Sequence, residues 1–285
     1  MIIGITGYSG FLGKHLLDTL SKIGKFEIIC IGRNPPNIKS QSIKFIFYDY
    51  SKKNLINLKV DILIHLAGIT SSSRNDNLQK LKFNYQGIKN LIQNIKYSHL
   101  IYISTIKIYD LLAETNPAQL AYINSKIKAE KFICEQQNHR YTIVRLGNCY
   151  GRHDERNRLI PNIIKYGINR RKFKLELNLK TQLSLLSADD FSILLEALFS
   201  DLQNYTNQII NFFQPNLLSV EEIIEVFHDL AGYEFLLPDN SNRITLFSRD
   251  KIQSNYLIDG FEFQKFKTDI KRIWHINRIE TAKRF

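Results

Sequence analysis

Cysteine is scarce in this 285-residue chain: three residues, Cys30, Cys134 and Cys149, with no C-x-x-C pair and no metal-ligand spacing. A small odd number set in apolar segments argues against a disulfide framework and for a reducing, cytoplasmic setting. No metal is expected. Long apolar runs are missing as well. None approaches the roughly 18 residues of a membrane span, and the chain opens directly on a strand-like run, with no room for a leader. There is no internal repeat and no low-complexity linker. Acidic residues are outnumbered, 27 against 39 Lys and Arg, giving a net charge of +12. The basic residues are nevertheless scattered, without a long basic run, a basic tail or aromatic-interleaved patches. That pattern sets nucleic acid aside and fits a basic surface suited to an anionic small molecule.

What is present is an apolar complement of 44%, enough for a sizeable core in one large α/β unit or two closely associated domains. Met1 to Thr6 reads as a buried strand. Gly7, Gly10 and Gly13 follow three apart, and Phe11, Leu12, Leu16, Leu17 and Leu20 then recur at helical spacing. Strand, glycine turn and helix together form the context of a dinucleotide-binding loop. The turn brings backbone N–H groups to a pyrophosphate, and the helix N-terminus faces that anion. The spacing is G-x-x-G-x-x-G rather than G-x-G-x-x-G, so the context carries more of the reading than the glycines do.

Phe26 to Ile31 is a second strand, ending in Gly32-Arg33. An acid at that end would bind an adenosine ribose 2′-hydroxyl, whereas an Arg suits a 2′-phosphate, so NADP is expected over NAD. Ile43 to Tyr48 and Asp61 to Gly68 are further strands, the latter apolar enough to be central. A helix spans about Leu78 to Ile95, and Leu100 to Ser104 is a fifth strand. The strand–helix alternation predicts a doubly wound parallel sheet, a Rossmann domain over 1–151. Residues 152–285 are expected to form mainly a smaller C-terminal substrate-binding domain, with segments near 180–213 returning to the sheet. In that half, helices are expected at Leu159 to Ile168, Ala188 to Ser200, from Ser219 to about Ala231, and at Asp269 to Ile276. Ser219 and Glu222 have capping-box spacing. Strands are expected at Lys172 to Leu179 and Gln208 to Phe213, and Tyr141 to Leu146 is the last strand of the first half.

The chemistry concentrates in Tyr122-Ile-Asn-Ser-Lys126, where positions i and i+4 share a helix face. A free tyrosine titrates near 10. A neighbouring ammonium and a cationic nicotinamide would pull that down toward the range useful for proton transfer. Thr105, at the end of the fifth strand, can hold the same substrate oxygen. Tyr122, Lys126 and Thr105 are thus the catalytic candidates.

With these motifs the sequence resembles the extended short-chain dehydrogenases/reductases, the NAD-dependent epimerase/dehydratase group acting on nucleotide sugars. The resemblance covers about Met1 to Gly151 and, more loosely, the stretch to Leu198. Thr-Gly7-Tyr-Ser-Gly10-Phe-Leu-Gly13 is similar to T-G-x-x-G-F-[LI]-G, and Asp61 to Gly68 to D-x-[VI]-[IV]-H-L-A-[AG]. Asn84 to Leu91 resembles N-[VI]-x-G-T-x-N-L, and Ser104-Thr105 to Tyr109 resembles S-[ST]-x-x-V-Y. Tyr122 and Lys126 fall on Y-x-x-x-K, and Arg145 to Gly151 on R-x-x-N-x-Y-G. The resemblance implies that Asp49 contacts adenine, Asn148 the substrate diphosphate, and Lys126 also the nicotinamide ribose. Tyr8, Phe11, Leu12, Arg33, Tyr50, Leu66, Ala67, Gly68, Asn84 and Tyr122 complete the cofactor set. It also implies a homodimer.

Two departures narrow the expectation. An Asp-Glu pair follows the catalytic hydroxyl in the 4,6-dehydratases, but here it is Ile106-Lys107, so water elimination lacks its acid and base. The R-D-[FY] that usually contacts phosphates is absent, with Leu183-Ser184-Leu185 in its place. Arg158 is the leading substitute, alongside Arg152, Arg156 and Lys165. The expected activity is NADPH-dependent reduction of the 4-keto group of a nucleoside-diphosphate 4-keto-6-deoxyhexose, for deoxysugar and surface polysaccharide synthesis. A nucleotide-sugar 4-epimerase with NAD is the alternative, and a catalytically silent cofactor-binding regulator a minor one.

Overall fold

The computed structural model describes the chain except for residues 39, 51–55, 71–77, 113, 137, 237–260 and 283–285, and except for the side chains of 78–82. Strands β1 (Ile2–Thr6), β2 (Glu27–Gly32), β3 (Ile43–Phe47), β4 (Lys59–His65), β5 (Lys96–Thr105) and β6 (Tyr141–Leu146) alternate with helices α1 (Phe11–Ile23), α2 (Leu78–Asn94) and α3 (Pro117–Cys134). A short 3-10 turn, Ile106–Asp110, follows β5. Beyond β6 come β7 (Asn148–Tyr150), α4 (Leu159–Ile168), β8 (Phe173–Lys174), β9 (Gln182–Leu183), β10 (Leu185–Ser187), α5 (Ala188–Asp201) and β11 (Gln208–Phe212). The chain closes with β12 (Leu218–Ser219), α6 (Val220–Ala231), β13 (Phe235–Leu236) and α7 (Phe266–Ala282).

Two compact units result. The first comprises Met1–Leu146 and Phe191–Phe212 among the described residues; the second comprises Gly147–Asp190 and the described residues after 212. The first unit holds a seven-stranded sheet in the order β11-β6-β5-β4-β1-β2-β3. Every pairing in it is parallel, which bears out the expected doubly wound Rossmann-like sheet. The apolar strand runs explain the arrangement, because the inner strands of such a sheet are buried on both faces. Ile3, Ile5, Ile28, Leu63, Ile64, Leu100, Ile101, Ile143 and Val144 are all buried. Ile88, Leu91, Ala129 and Ile133 bring α2 and α3 into one core cluster with Leu63, Leu100 and Ile143. The strand order reverses direction between β1 and β4. Ligands of open parallel sheets bind at such a switch point, outside the strands' carboxyl ends.

The second unit has its own core, with Tyr150, Ile160, Ile163, Phe227, Ile273 and Trp274 at its centre. Among the described residues its strands form three two-stranded pairs. Helix α6 starts on a capping box: the Glu222 N–H donates to Ser219 Oγ at 3.1 Å, and the Ser219 N–H donates to Glu222 Oε2 at 2.6 Å. Several local readings change, and the last helix runs Phe266–Ala282 rather than the expected Asp269 to Ile276. The strand expected over Lys172 to Leu179 shrinks to Phe173–Lys174, the part that pairs with Phe235–Leu236. The fourth strand stops at His65, and the fifth begins as early as Lys96.

Candidate functional site

The first unit's turn after β1 is built by steric necessity. Gly7 has φ +73°, and a Cβ there would lie 2.5 Å from the Ala67 backbone nitrogen. A Cβ at Gly13 would lie 2.2 Å from the Gly7 carbonyl oxygen. These two glycines let the turn, the start of α1 and the end of β4 approach each other closely. Gly10 is the N-cap of α1. As a glycine it contributes no side-chain cap, and the first turn of the helix carries no acid. Positive potential and N–H donors at that end suit an anion. Phe11 and Leu12 are half-buried at the head of the helix, and Phe11 meets the His15 ring edge-on at 5.3 Å. Tyr8 is buried, and its hydroxyl donates to the Asn34 carbonyl.

Arg33 stands exposed just after β2. Tyr50 donates to the Ile31 carbonyl at 2.6 Å, and its ring packs against Tyr48 and His65. Asp49 and Tyr50 are half-buried. Across the switch point, the Leu66 N–H donates to the Thr6 carbonyl at 3.2 Å and the Ala67 N–H to Thr6 Oγ1 at 3.4 Å. Asn84 secures the segment that follows. Its Oδ1 accepts from the Ile69 N–H at 2.7 Å, and its Nδ2 donates to the Ile69 carbonyl at 2.9 Å and to Ser125 Oγ at 3.0 Å. A Cβ at exposed Gly68 would stand 3.3 Å from Asn84 Oδ1 and 3.6 Å from Lys126 Nζ. The glycine thus lies directly over the lysine's ammonium. An exposed glycine close to a buried cation, in the same unit as a glycine turn that opens a helix with no acid in its first turn, fits a dinucleotide.

Helix α3 carries the candidate acid–base pair. Lys126 is buried; its Nζ donates to the Ile103 carbonyl at 2.8 Å and lies 4.8 Å from the centre of the Tyr102 ring. Burial lowers its pKa to about 8, with Glu130 pulling the other way. Tyr102 itself stacks on His65, centroids 5.8 Å apart. Burial, reinforced by the Lys126 charge, lowers His65 to about 3, so that imidazole is neutral. The Tyr102 phenol is pushed well up by burial, with nearby Tyr122 and Glu130 adding to it. Tyr122 is half-buried one turn before Lys126, and its carbonyl accepts from Ser125 Oγ at 2.7 Å. Thr105 Oγ1 accepts from the Lys107 N–H at 3.3 Å and so caps the 3-10 turn. The Lys107 ammonium donates to Gln119 Oε1 at 3.0 Å, one helical turn ahead of Tyr122.

Sequence reasoning missed the polar frame behind this pair. Buried Glu130, four residues beyond Lys126, forms an ion pair with half-buried Arg145 at 2.7 Å. The Arg145 guanidinium lies 5.0 Å from the Tyr109 ring, and Tyr109 donates to Asn211 Oδ1 at 3.2 Å. The i+4 spacing of Glu130 from Lys126 shows that the two share a helix face, but nothing local in the sequence points to Arg145.

Asn148 and Arg158, the expected substrate contacts, belong to the second unit. Asn148 is half-buried in β7 opposite Leu185 of β10. Arg158 is the N-cap of α4 and makes no side-chain cap there. Arg152 is paired with Asp189 at 3.5 Å and Arg156 with Asp154 at 2.6 Å, while Lys165 is exposed. Among the described residues, no group of His, Cys, Asp and Glu could hold a metal ion, and no helix is long and apolar enough to cross a membrane.

The profile of the NAD dependent epimerase/dehydratase family matches residues 3–229. A "dTDP-D-glucose 4,6-dehydratase" of Dictyostelium discoideum is 27% identical over 78% of this chain and 61% of its own length. The chain thus spans about three fifths of that relative. A "GDP-6-deoxy-D-talose 4-dehydrogenase" of Aggregatibacter actinomycetemcomitans is 26% identical over 84% of this chain and 83% of its own. Among solved structures, a UDP-glucuronic acid 4-epimerase from Bacillus cereus with UDP-glucuronic acid and NAD superimposes with a TM-score of 0.76. It shares 17% identity, over 99% of this chain and 100% of that one.

Proposed function

Because the chain belongs to the NAD dependent epimerase/dehydratase family, we propose that it is an NADPH-dependent reductase. Its substrate would be the 4-keto group of a nucleoside-diphosphate 4-keto-6-deoxyhexose. The observation that carries this reading is the buried Lys126 ammonium, seated on the Tyr102 ring beneath Gly68 and one turn from Tyr122. The bound dinucleotide supplies the hydride. Tyr122 gives its phenolic proton to the oxygen that becomes a hydroxyl. Lys126, mostly charged at neutral pH, stabilises the phenolate left behind. Thr105 donates from its hydroxyl to the keto oxygen while its lone pair accepts from Lys107.

Ile106 and Lys107 stand where a dehydratase has its acid and base, which supports reduction over elimination. Arg33 supports NADPH. The GDP-6-deoxy-D-talose 4-dehydrogenase, named for redox chemistry at C4 of a nucleoside-diphosphate deoxy sugar, is consistent with the same class. The test is incubation with NADPH or NADH and a panel of nucleoside-diphosphate 4-keto sugars, following absorbance loss and identifying the product. Stoichiometric NADPH consumption is expected. Interconversion of sugars without net oxidation would instead make the chain an epimerase. Tyr122→Phe is expected to lose at least 100-fold in turnover, an order-of-magnitude figure for a general acid, while binding NADPH as tightly as the wild type. An unchanged rate would point to a non-catalytic role for the site.

A further inference from the structure

The end of β2 contains an arrangement that the reaction itself does not explain. Gly32 has an ordinary backbone conformation, so its φ does not demand glycine. The neighbouring side chain crowds it instead. A Cβ on Gly32 would lie 3.1 Å from Tyr8 Cε1 and 3.2 Å from Tyr8 Oη. The Tyr8 ring is only 3% exposed, and its hydroxyl is tied to the Asn34 carbonyl. It cannot swing aside without exposing the ring's apolar face and breaking that bond. The turn after β1 and the loop after β2 are therefore joined by a phenol lying across the strand end. This is the position from which a carboxylate would reach an adenosine ribose 2′-hydroxyl. Exposed Arg33 is the next residue.

Resting on the NADPH reading above, we propose that Tyr8 is a specificity-determining residue. Its ring fills the space over Gly32, closes the strand end to an acidic side chain, and so reserves it for a dinucleotide bearing a 2′-phosphate. Arg33 supplies the cation and with it the attraction, and Tyr8 acts through position 32, where it disfavours the carboxylate that would favour the unphosphorylated cofactor. Tyr8 and Gly32 must consequently change together, since neither substitution alone reshapes the strand end.

The test is a double-mutant cycle on the full chain with wild type, Tyr8→Ala, Gly32→Asp and the double variant. Thermal unfolding is measured without cofactor, and the Kd of NADPH and of NADH by calorimetry. Gly32→Asp alone is expected to lower Tm and weaken both nucleotides. Adding Tyr8→Ala should restore Tm and move the NADPH-to-NADH preference toward NADH by about tenfold or more relative to Tyr8→Ala alone. Tenfold corresponds to roughly 1.4 kcal/mol, and it equals the coupling where Gly32→Asp alone weakens both nucleotides equally. If Gly32→Asp keeps the wild-type Tm and already favours NADH with Tyr8 present, the two sites are independent and the proposal is overturned. It is overturned equally if the double variant leaves the preference unmoved. A wild-type chain that binds neither nucleotide defeats the parent reading instead, and this one with it.

Discussion

At the scale of single residues, the site is governed by burial of titratable groups. Lys126 falls to about 8 in the folded chain because its ammonium is desolvated, against 10.5 for the exposed side chain. Between those values the unfolded chain holds a proton that the folded chain has released, so this residue makes stability rise with pH across that window. Below it, the buried charge exacts its full cost, of the order of 3 kcal/mol. Urea unfolding of the wild type and of Lys126→Met should therefore converge, with the wild type gaining on the variant from pH 7.5 to 10. A constant difference would mean that the ammonium is not desolvated. His65 works at the other end. Its folded imidazole stays neutral down to about 3, whereas an unfolded one takes up a proton near 6.5, so stability is lost as pH falls from 6.5 toward 3. His65→Gln should show a shallower loss over that range.

These residues also show what a sequence can reveal. Tyr122 and Lys126 were legible because four-residue spacing on a helix is local information. The Asn84 bracket was legible only as a motif, since its partners are the backbone of Ile69 and the hydroxyl of Ser125, 41 residues away. The Glu130–Arg145 pair spans two elements, and neither residue carries a local sign of the other.

At the scale of elements, the glycine turn is the sharpest constraint. The glycines of the motif look alike in sequence but differ in what surrounds them. A methyl at Gly13 would meet backbone at 2.2 Å, whereas one at Gly10 would meet only the Gly7 carbonyl at 3.2 Å. Gly13→Ala is expected to cost several kcal/mol or prevent folding, while Gly10→Ala should fold with a loss of about 1 kcal/mol or less. Thermal melts decide this, and equal melting temperatures would contradict the packing described. Strand periodicity was legible where runs are apolar, as in β1, β2 and β4. It misled at Lys172 to Leu179, which alternates cleanly. A strand exists only where another strand pairs with it, and among the described residues the partner strand Phe235–Leu236 pairs with Phe173–Lys174. The polar opening of β5, Lys96-Tyr-Ser-His99, hid the opposite way: β4 recruits it into the ladder despite its composition.

At the scale of the whole molecule, the first unit is discontinuous in sequence. Its edge strand β11 arrives only after the chain has passed through the second unit, and it pairs with β6 along five residues, from Gln208–Thr142 to Phe212–Leu146. The same segment returns Phe199 to an edge-on contact with Phe26. A fragment ending at residue 151 is therefore expected to expose β6 as an apolar edge and to aggregate on size-exclusion chromatography, unlike the full chain. A monomeric, cooperatively melting fragment would show that β11 is dispensable.

That return pass also sets a timetable. A ribosome releases the first six strands long before Phe212 emerges, and at ordinary elongation rates the wait is on the order of ten seconds. Throughout it the nascent sheet lacks its last member, and β6 is open to capture by another chain or by a chaperone.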